Sequence, residues 1–529
     1  MGGQGPPTSC PPPLSAPERR MNLAHPPREA VPARFNLARY CLSENARTQP
    51  DRIGLTIVGD AGALQLSYRE IDEKVRRLAA GLRSLGLSNG ARVMIRMGNE
   101  ANAALAYFAA IAAGYVALIA SSQLTFEEAE FLRADSEAAA LLLGAEFENE
   151  PHKPHGFHAL RPERLARLFE MEPLADYEDT GCDEPAYLVY TSGTTSRPKG
   201  VLHAHRAAFA RRLMYPHWMG LTRADTMLHA GAINWTYTLG VGVVDPFACG
   251  AEAVLYNGKP DASIWARLIE ERRATIFAAV PGVYRQILKQ GAPETHDLSS
   301  LRHGLSAGAA LSPQLLAEWR ARTGKEIFEA YGMSEISTFV SSGPTTPVHP
   351  GSPGRPQPGR IVAALPRDGG TEPVPRGETG LLAVRQDEPG LMLRYWNRDA
   401  EEREARRGEW FVSGDLVSFD ADGYVHLVGR ADEIMNAGGY RVSPAEVERC
   451  LLAHPDVAEA AVAERPGRDE GTSIIKAYVV PREGCDPQEH DLLAFCAEHL
   501  AAYKRPRAVL RLEHLPRNAN GKLLRAALP

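Results

Sequence analysis

Apolar and polar positions change period along this chain in a regular way. In YREIDEKVRRLAAGLRSLG, from Tyr68 to Gly86, apolar residues recur every three to four positions, the period of a helix with one buried face, and Gly86 supplies a stop signal. ARVMIRM then reads as a strand. The alternation continues with an Ala-rich helix that turns at Gly114, the strand YVALIAS, the helix FEEAEFLRADS and the strand AALLLG. It resumes further on with the strands ADTMLHAG, AEAVLYN and ATIFAAVP and the helix ASIWARLIEERR. Strand–helix alternation of this kind predicts an α/β fold with mixed and parallel sheets covered by helices. The stretch from Ala103 to Ala120 is long and apolar enough to suggest a bilayer span. It is mostly Ala with Gly114 in the middle, which predicts a buried helix, a turn and a strand instead.

Between Ser341 and Gly380 the texture changes to dense Pro and Gly with short strands such as RIVAAL and GLLAVR, which predicts a β-rich subdomain. After GYVHLVGRADEI the pattern restarts. SPAEVERCLLAHP and EHDLLAFCAEHL read as helices and VAEAAVAER and IIKAYVVP as strands, a compact α+β unit of about a hundred residues. A chain of 529 residues exceeds one ordinary core. The expected division is a Pro/Gly-rich disordered extension over 1–34, a large N-terminal domain over 35–431 and a small mobile C-terminal domain over 432–529. The first twenty residues carry no apolar h-region and read as neither a secretory signal nor a core.

Charge alters this picture little. The formal net charge of -6 leaves no basic footprint for nucleic acid or an anionic membrane. The seven cysteines are dispersed without a C-x-x-C pair, which suits free thiols in a reducing cytosol, so a cytoplasmic location is expected.

The strongest chemical signal is YTSGTTSRPKG, Tyr190 to Gly200. Gly193 and Gly200 let backbone N–H groups approach an anion closely. Thr191, Ser192, Thr194 and Thr195 add hydroxyls, and Lys199 adds a mobile cation. The spacing is not that of a Walker A loop. The strand AYLVY precedes the loop, and VLHAHRAAFARRL is expected to open a helix after it. His203 and His205 have no third ligand nearby and are expected to shape the loop rather than bind metal. GLSAG around Ser306 is not a G-x-S-x-G elbow.

Four further segments follow in order: EAYGMSE (Glu329 to Glu335), SGDL (Ser413 to Leu416), GRADEIMNAGGYRVSPAEVE (Gly429 to Glu448) and NANGKLLRAAL (Asn518 to Leu528). Together with the glycine loop they resemble the core motifs of the adenylate-forming superfamily, which holds acyl-CoA synthetases, adenylation domains of peptide synthetases and luciferases. The resemblance runs from about residue 35 to the C-terminus. It implies a large N-terminal and a small mobile C-terminal domain with the active site between them. It also implies two half-reactions: a carboxylate attacks the α-phosphate of ATP, then a thiol displaces AMP. The implied small molecules are ATP, Mg²⁺, CoA and a carboxylic acid, with a homodimer as the assembly left open.

The resemblance assigns roles residue by residue. Thr191, Ser192, Gly193, Thr194, Thr195 and Lys199 hold the β- and γ-phosphates, although Ser196 stands where relatives usually have Gly. Tyr331 packs on adenine, with Gly332 and Ser334 beside it in the nucleotide site. Glu335 binds Mg²⁺, a hard ion that accepts one carboxylate plus phosphate oxygens. Asp415 accepts from the ribose hydroxyls, and Arg430 contacts ribose or phosphate. Asp432 is the hinge. Lys522 reaches the substrate carboxylate and α-phosphate, so Lys522, Glu335 and Thr191 form the catalytic set. Gly438, Gly439 and Arg441 belong to the CoA channel and hinge. Trp235, Tyr237, Gly308 and Gly332 line the acyl pocket, where Gly332 leaves room for an acid larger than acetate. Asn234 and Trp235 stand where peptide-synthetase domains usually place an Asp for the α-amino group, which lowers the amino-acid reading. The leading expectation is an acid:CoA ligase for a short or medium aliphatic or an aromatic monocarboxylic acid. The alternatives are a stand-alone adenylation enzyme that loads a carrier protein, and a non-catalytic nucleotide-binding protein.

Overall fold

The computed structural model describes residues 29–151, 157–191, 198–259, 261–431, 433, 435–437, 440–466, 473–517 and 523–529. Two large sheets organise the first four hundred residues or so. One has seven strands in the order Arg394–Trp396, Lys199–Ala204, Pro185–Thr191, Val116–Ala120, Arg92–Arg96, Ala140–Leu143, His158–Leu160. The other has nine. It runs from Arg355–Pro356 through Ser337–Ser341, Glu326–Met333, His303–Ala307, Ile276–Ala279, Thr226–His229 and Glu252–Tyr256 to Ile53–Gly59 and Gly62–Ser67. The interiors of both sheets are parallel and antiparallel pairs lie toward the edges, so the apolar runs of the central strands are buried on both faces. The β-rich subdomain is a five-stranded sheet built on Gly380–Arg385 and Trp410–Phe419.

Local sequence explains the elements. Ser67 and Glu70 form a reciprocal capping box that starts the helix Tyr68–Arg83, which buries Ile71, Val75, Leu78 and Leu82 on one face. The apolar stretch after Glu100 is the buried helix Ala101–Ala112, a turn at Gly114 with φ of 83°, and the central strand Val116–Ala120. Among the described residues no helix is long and apolar enough to cross a membrane. In the C-terminal part a three-stranded sheet of Val457–Pro466, Ser473–Pro481 and Ala508–Arg511 packs with the helices Pro444–Leu452 and Glu489–His499.

Two expectations need correction. The segment after the glycine loop does not begin as a helix. Lys199–Ala204 is a strand antiparallel to Pro185–Thr191, and a short helix starts only at Arg206. Pairing on both edges and continuous burial from Gly200 to Ala204 outweigh the helix-like run of Ala and Arg. His203 and His205 accordingly lie in packed structure rather than in the loop, and both are buried. The ordered chain also begins before residue 35. Glu29 pairs with Arg212 at 2.7 Å, and Arg34 forms an antiparallel bridge with Gly181 and ion-pairs with Asp179 at 2.9 Å. Charge pairing holds a stretch that its composition alone leaves without a core.

One buried ion pair ties the interior together around the site. Arg211 donates from Nε and Nη2 to the two carboxylate oxygens of Asp245, each at 2.6 Å. The pair is flanked by two π-helical turns, Tyr215–Met219 and Gly240–Val244. Gly240 has to lack a side chain, because a Cβ there would lie 2.4 Å from Arg211 Nη2. Arg211 also donates to the hydroxyl of Ser337, a non-glycine residue held at φ of 71° in the hairpin that follows Glu335.

Removing one member of a buried pair strands its partner's charge. Arg211→Met should therefore lower stability by about 3–5 kcal/mol in denaturant unfolding, and Arg211→Met combined with Asp245→Asn should recover much of that loss. Glu329 is a second buried carboxyl. Its Oε1 accepts from Leu311 N at 3.1 Å, and burial raises it from 4.5 to about 8. A raised folded value means that its contribution to stability is complete below about pH 4.5 and declines as pH rises to about 8. Glu329→Gln keeps an acceptor and needs no proton. Unfolding measured at pH 5 and pH 8 should show the variant gaining on the wild type with rising pH, by on the order of a few kcal/mol.

Candidate functional site

The antiparallel pairing of Pro185–Thr191 with Lys199–Ala204 puts Thr191 opposite Lys199. These two residues are the last pair before the glycine loop in sequence. Ser192, Gly193, Thr194, Thr195 and Ser196 lie outside the described residues. The strand Arg394–Trp396 pairs along the other edge of Lys199–Ala204, with Tyr395 opposite Val201. Lys199 Nζ stands 5.8 Å above the Tyr395 ring.

Tyr395 is the link to the second sheet. Its hydroxyl donates to Glu335 Oε1 at 2.7 Å. The backbone around Glu335 is held as well. Met392 N donates to the Glu335 carbonyl at 2.7 Å, and His203 Nε2 donates to the Ser334 carbonyl at 2.8 Å. Because a carbonyl only accepts, Nε2 must carry the proton. His203 stacks on Tyr187 with centroids 4.6 Å apart, and burial lowers its pKa to about 4, so it works as a neutral donor. Burial raises the Glu335 carboxyl, while the Tyr395 hydroxyl draws it back down.

Tyr331, on the strand Glu326–Met333, donates its hydroxyl to Asp415 Oδ2. Asp415 lies opposite Arg430 on adjacent antiparallel strands, with Oδ1 3.7 Å from Arg430 Nη1. Tyr331 packs edge-on to Phe339, with centroids 5.6 Å apart. Tyr331, Glu335, Asp415 and Arg430, dispersed over a hundred positions of sequence, therefore form one cluster. Burial raises both Tyr331 and Glu335, the field of Asp415 adds to it, and Arg430 opposes it.

The acyl-pocket candidates divide. Trp235 closes over Gly308. A Cβ at Gly308, which has φ of 88°, would meet Trp235 Cη2 and Cζ2 at 2.9 Å. Tyr237 packs edge-on to Trp235 at 5.4 Å and donates to the Leu305 carbonyl at 3.2 Å. At Gly332 neighbouring backbone fills the space a side chain would need. A Cβ there would run into Ser337 O at 2.3 Å and Thr338 Cα at 2.6 Å, both backbone. Its missing side chain serves the tight pairing of Glu326–Met333 with Ser337–Ser341, where the register shifts between Tyr331 and Gly332.

Asp432, Gly438, Gly439 and Lys522 lie outside the described residues. Arg441 falls in the short strand Tyr440–Val442, and its side chain is likewise outside them. Sequence reasoning missed Tyr395 and the role of His203. Neither stands in a motif, and only the pairing of two strand edges brings them to Glu335. The donor set at Glu335, one oriented carboxylate facing a basic loop base, suits Mg²⁺, which takes few protein oxygens and completes its shell with phosphate and water.

Comparison with known proteins identifies the family. The "AMP-binding enzyme" family matches residues 42–396, and "AMP-binding enzyme C-terminal domain" matches 446–522. The chain is 30% identical to the 3-hydroxybenzoate–CoA/4-hydroxybenzoate–CoA ligase of Thauera aromatica, over 87% of this chain and 90% of that protein. Its fold superposes on the anthranilate CoA ligase AuaEII in complex with anthranoyl-AMP with a TM-score of 0.84 at 28% identity, covering 93% of this chain and 96% of that one. For a benzoate CoA ligase from Burkholderia xenovorans LB400 the TM-score is 0.83 at 30% identity, covering 93% and 99%. The chain belongs to the AMP-binding enzyme family and is an AMP-forming acyl-CoA synthetase of the adenylate-forming superfamily.

Proposed function

We propose that this chain activates an aromatic or short-to-medium aliphatic monocarboxylic acid with ATP and transfers the acyl group to CoA. The observation that carries this reading is the cluster at the sheet junction, where Lys199, Tyr395 and Glu335 stand in a row beside Tyr331, Asp415 and Arg430. Names of several relatives, ligases of benzoate, hydroxybenzoates and anthranilate, support the acid class, while others are named for oxalate and acetyl-CoA.

In the first half-reaction a carboxylate oxygen attacks the α-phosphorus, the bond to the β-phosphate bridging oxygen breaks, and pyrophosphate leaves. Attack of one anion on another needs charge neutralised in advance. Lys199 and the loop hydroxyls take the β- and γ-phosphates, and Lys522 takes the α-phosphate and the substrate carboxylate. Asp415 accepts from the ribose hydroxyls, Arg430 adds a positive contact, and the Tyr331 ring flanks the base. Glu335, oriented by Tyr395, holds Mg²⁺, which when bound screens the triphosphate charge. In the second half-reaction the CoA sulfur attacks the acyl carbonyl, the thiol proton is lost, and AMP leaves. Rotation about Asp432 exchanges Lys522 for the Gly438–Gly439 segment between the two.

Trp235 against Gly308 makes a flat apolar wall that suits a ring or a straight chain. With ATP, Mg²⁺ and a panel from acetate to decanoate with benzoate and hydroxybenzoates, pyrophosphate release should depend on the acid and AMP formation should rise with CoA. AMP formation indifferent to CoA would sink the CoA assignment. Lys522→Ala should lose at least a hundredfold in pyrophosphate release, yet still convert supplied acyl-AMP to thioester. Trp235→Ala should shift the kcat/KM ratio of the largest to the smallest accepted acid upward by about tenfold, measured across the same panel.

A further inference from the structure

Asn99 belongs to none of the five motifs, yet its side chain reaches from one large sheet to the other. It lies three residues past the strand Arg92–Arg96, which runs between Val116–Ala120 and Ala140–Leu143 in the parallel interior of the seven-stranded sheet. The carboxyl ends of parallel strands are where such sheets place residues that shape a ligand site. From there Asn99 Nδ2 donates to the Gly231 and Tyr256 carbonyls, each at 2.9 Å, and Asn99 Oδ1 accepts from Ile233 N at 2.8 Å. Carbonyls only accept and a backbone N–H only donates, so a single orientation of the amide satisfies all three bonds. Tyr256 ends the strand Glu252–Tyr256, and Gly231 follows the neighbouring strand Thr226–His229, both in the nine-stranded sheet.

The clamped segment leads directly into the wall at Trp235. Ile233 is held twice. Asn99 takes its N–H, and its side chain is buried in the same apolar cluster as Ala104, Leu105 and Phe108 of the helix Ala101–Ala112. Trp235 N then donates to the Ala232 carbonyl at 3.0 Å, and the Trp235 carbonyl accepts from Leu239 N at 2.8 Å. Trp235 therefore joins a tight turn to the short helix Thr236–Leu239. A Cβ at Gly231 would collide with Thr238 Oγ1, so the turn lies close against that helix. From this backbone the Trp235 ring projects over Gly308.

We propose that Asn99 is a positioning residue for acid selection. By tying residues 231–233 to the loop after Arg92–Arg96, it fixes the turn that carries Trp235, and with it the size of acid the enzyme accepts. This rests on the reading of Trp235 as a wall of the acyl pocket. Ala at position 99 makes none of the three bonds. Asp keeps the shape and the acceptor for Ile233 N, but it donates nothing and turns a negative charge on two carbonyls. Without the clamp the ring loses its fixed place, so acids are held less tightly and sorted less sharply, while the nucleotide contacts are unchanged.

The test measures acid-dependent pyrophosphate release in the full chain, for wild type, Asn99→Ala, Asn99→Asp, Trp235→Ala and the double variant Asn99→Ala with Trp235→Ala, across the panel of acids. Both Asn99 variants should raise KM for the best acid about fivefold with KM for ATP within about twofold. Both should also raise the kcat/KM ratio of the largest to the smallest accepted acid about threefold or more. In the double variant the ratio should stay at the Trp235→Ala value, because both changes act through one ring. Should Asn99→Ala not fold, the near-isosteric Asn99→Asp carries the comparison by itself, alone and combined with Trp235→Ala. A ratio unchanged or lowered in the Asn99 variants overturns the proposal. A fall in kcat and a rise in both KM values with a lowered Tm, at constant ratio, makes Asn99 a structural residue and overturns it too, as do effects that multiply in the double variant. If Trp235→Ala itself leaves the ratio unchanged, the reading of Trp235 fails, and the proposal with it.

Discussion

Glu335 has to present a carboxylate at the seam between two sheets while its backbone stays closed to water, and the rest of the site follows from how that is done. The nine-stranded sheet supplies the residue at the turn between Glu326–Met333 and Ser337–Ser341. The seven-stranded sheet supplies what holds it: Tyr395 on the carboxylate and His203 on the preceding carbonyl. Burial raises the pKa of this carboxyl, and the hydroxyl donor stabilises its ionised form. The same strand pair carries Thr191 and Lys199, so the base of the glycine loop and the acidic residue it faces are set by one piece of backbone pairing.

Electrostatics around this seam are arranged in opposing pairs rather than as free charges. Asp415 is set against Arg430, and Asp245 against Arg211. Arg211 acts at a distance from the chemistry. Through Ser337 it holds the left-handed residue two positions past Glu335, and through Asp245 it fixes the helical segment that begins beside Trp235. The segment beside Trp235 and the hairpin after Glu335 therefore share one buried cation, and packing changes at either are felt by the other.

In the C-terminal part, ion pairs take over a task that a small core performs poorly. Apolar packing of Met435, Val442, Val447 and Ile475 builds the unit. Arg517 pairs with Glu459, and the last seven residues are attached by Arg525 on Glu448 and the packing of Leu528. Charged anchors are directional, so they fix the orientation of a terminal segment that buries few apolar side chains.

Local pattern on its own determined most of the elements: Tyr68–Arg83 from its periodicity and capping box, Val116–Ala120 from an apolar run bounded by Gly114, and the order of the motifs with the family they resemble. These are written in spacing and residue type, which act over a few positions. Pairing between distant strands was decided only in three dimensions. It turned the run after the glycine loop into a strand and packed Gly332 against a backbone crossing. It also brought Tyr395 to Glu335 across sixty positions of chain and Arg525 to Glu433 across ninety-two. No local pattern encodes such contacts, because their free energy comes from burial and hydrogen bonding between segments whose separation in sequence carries no signal.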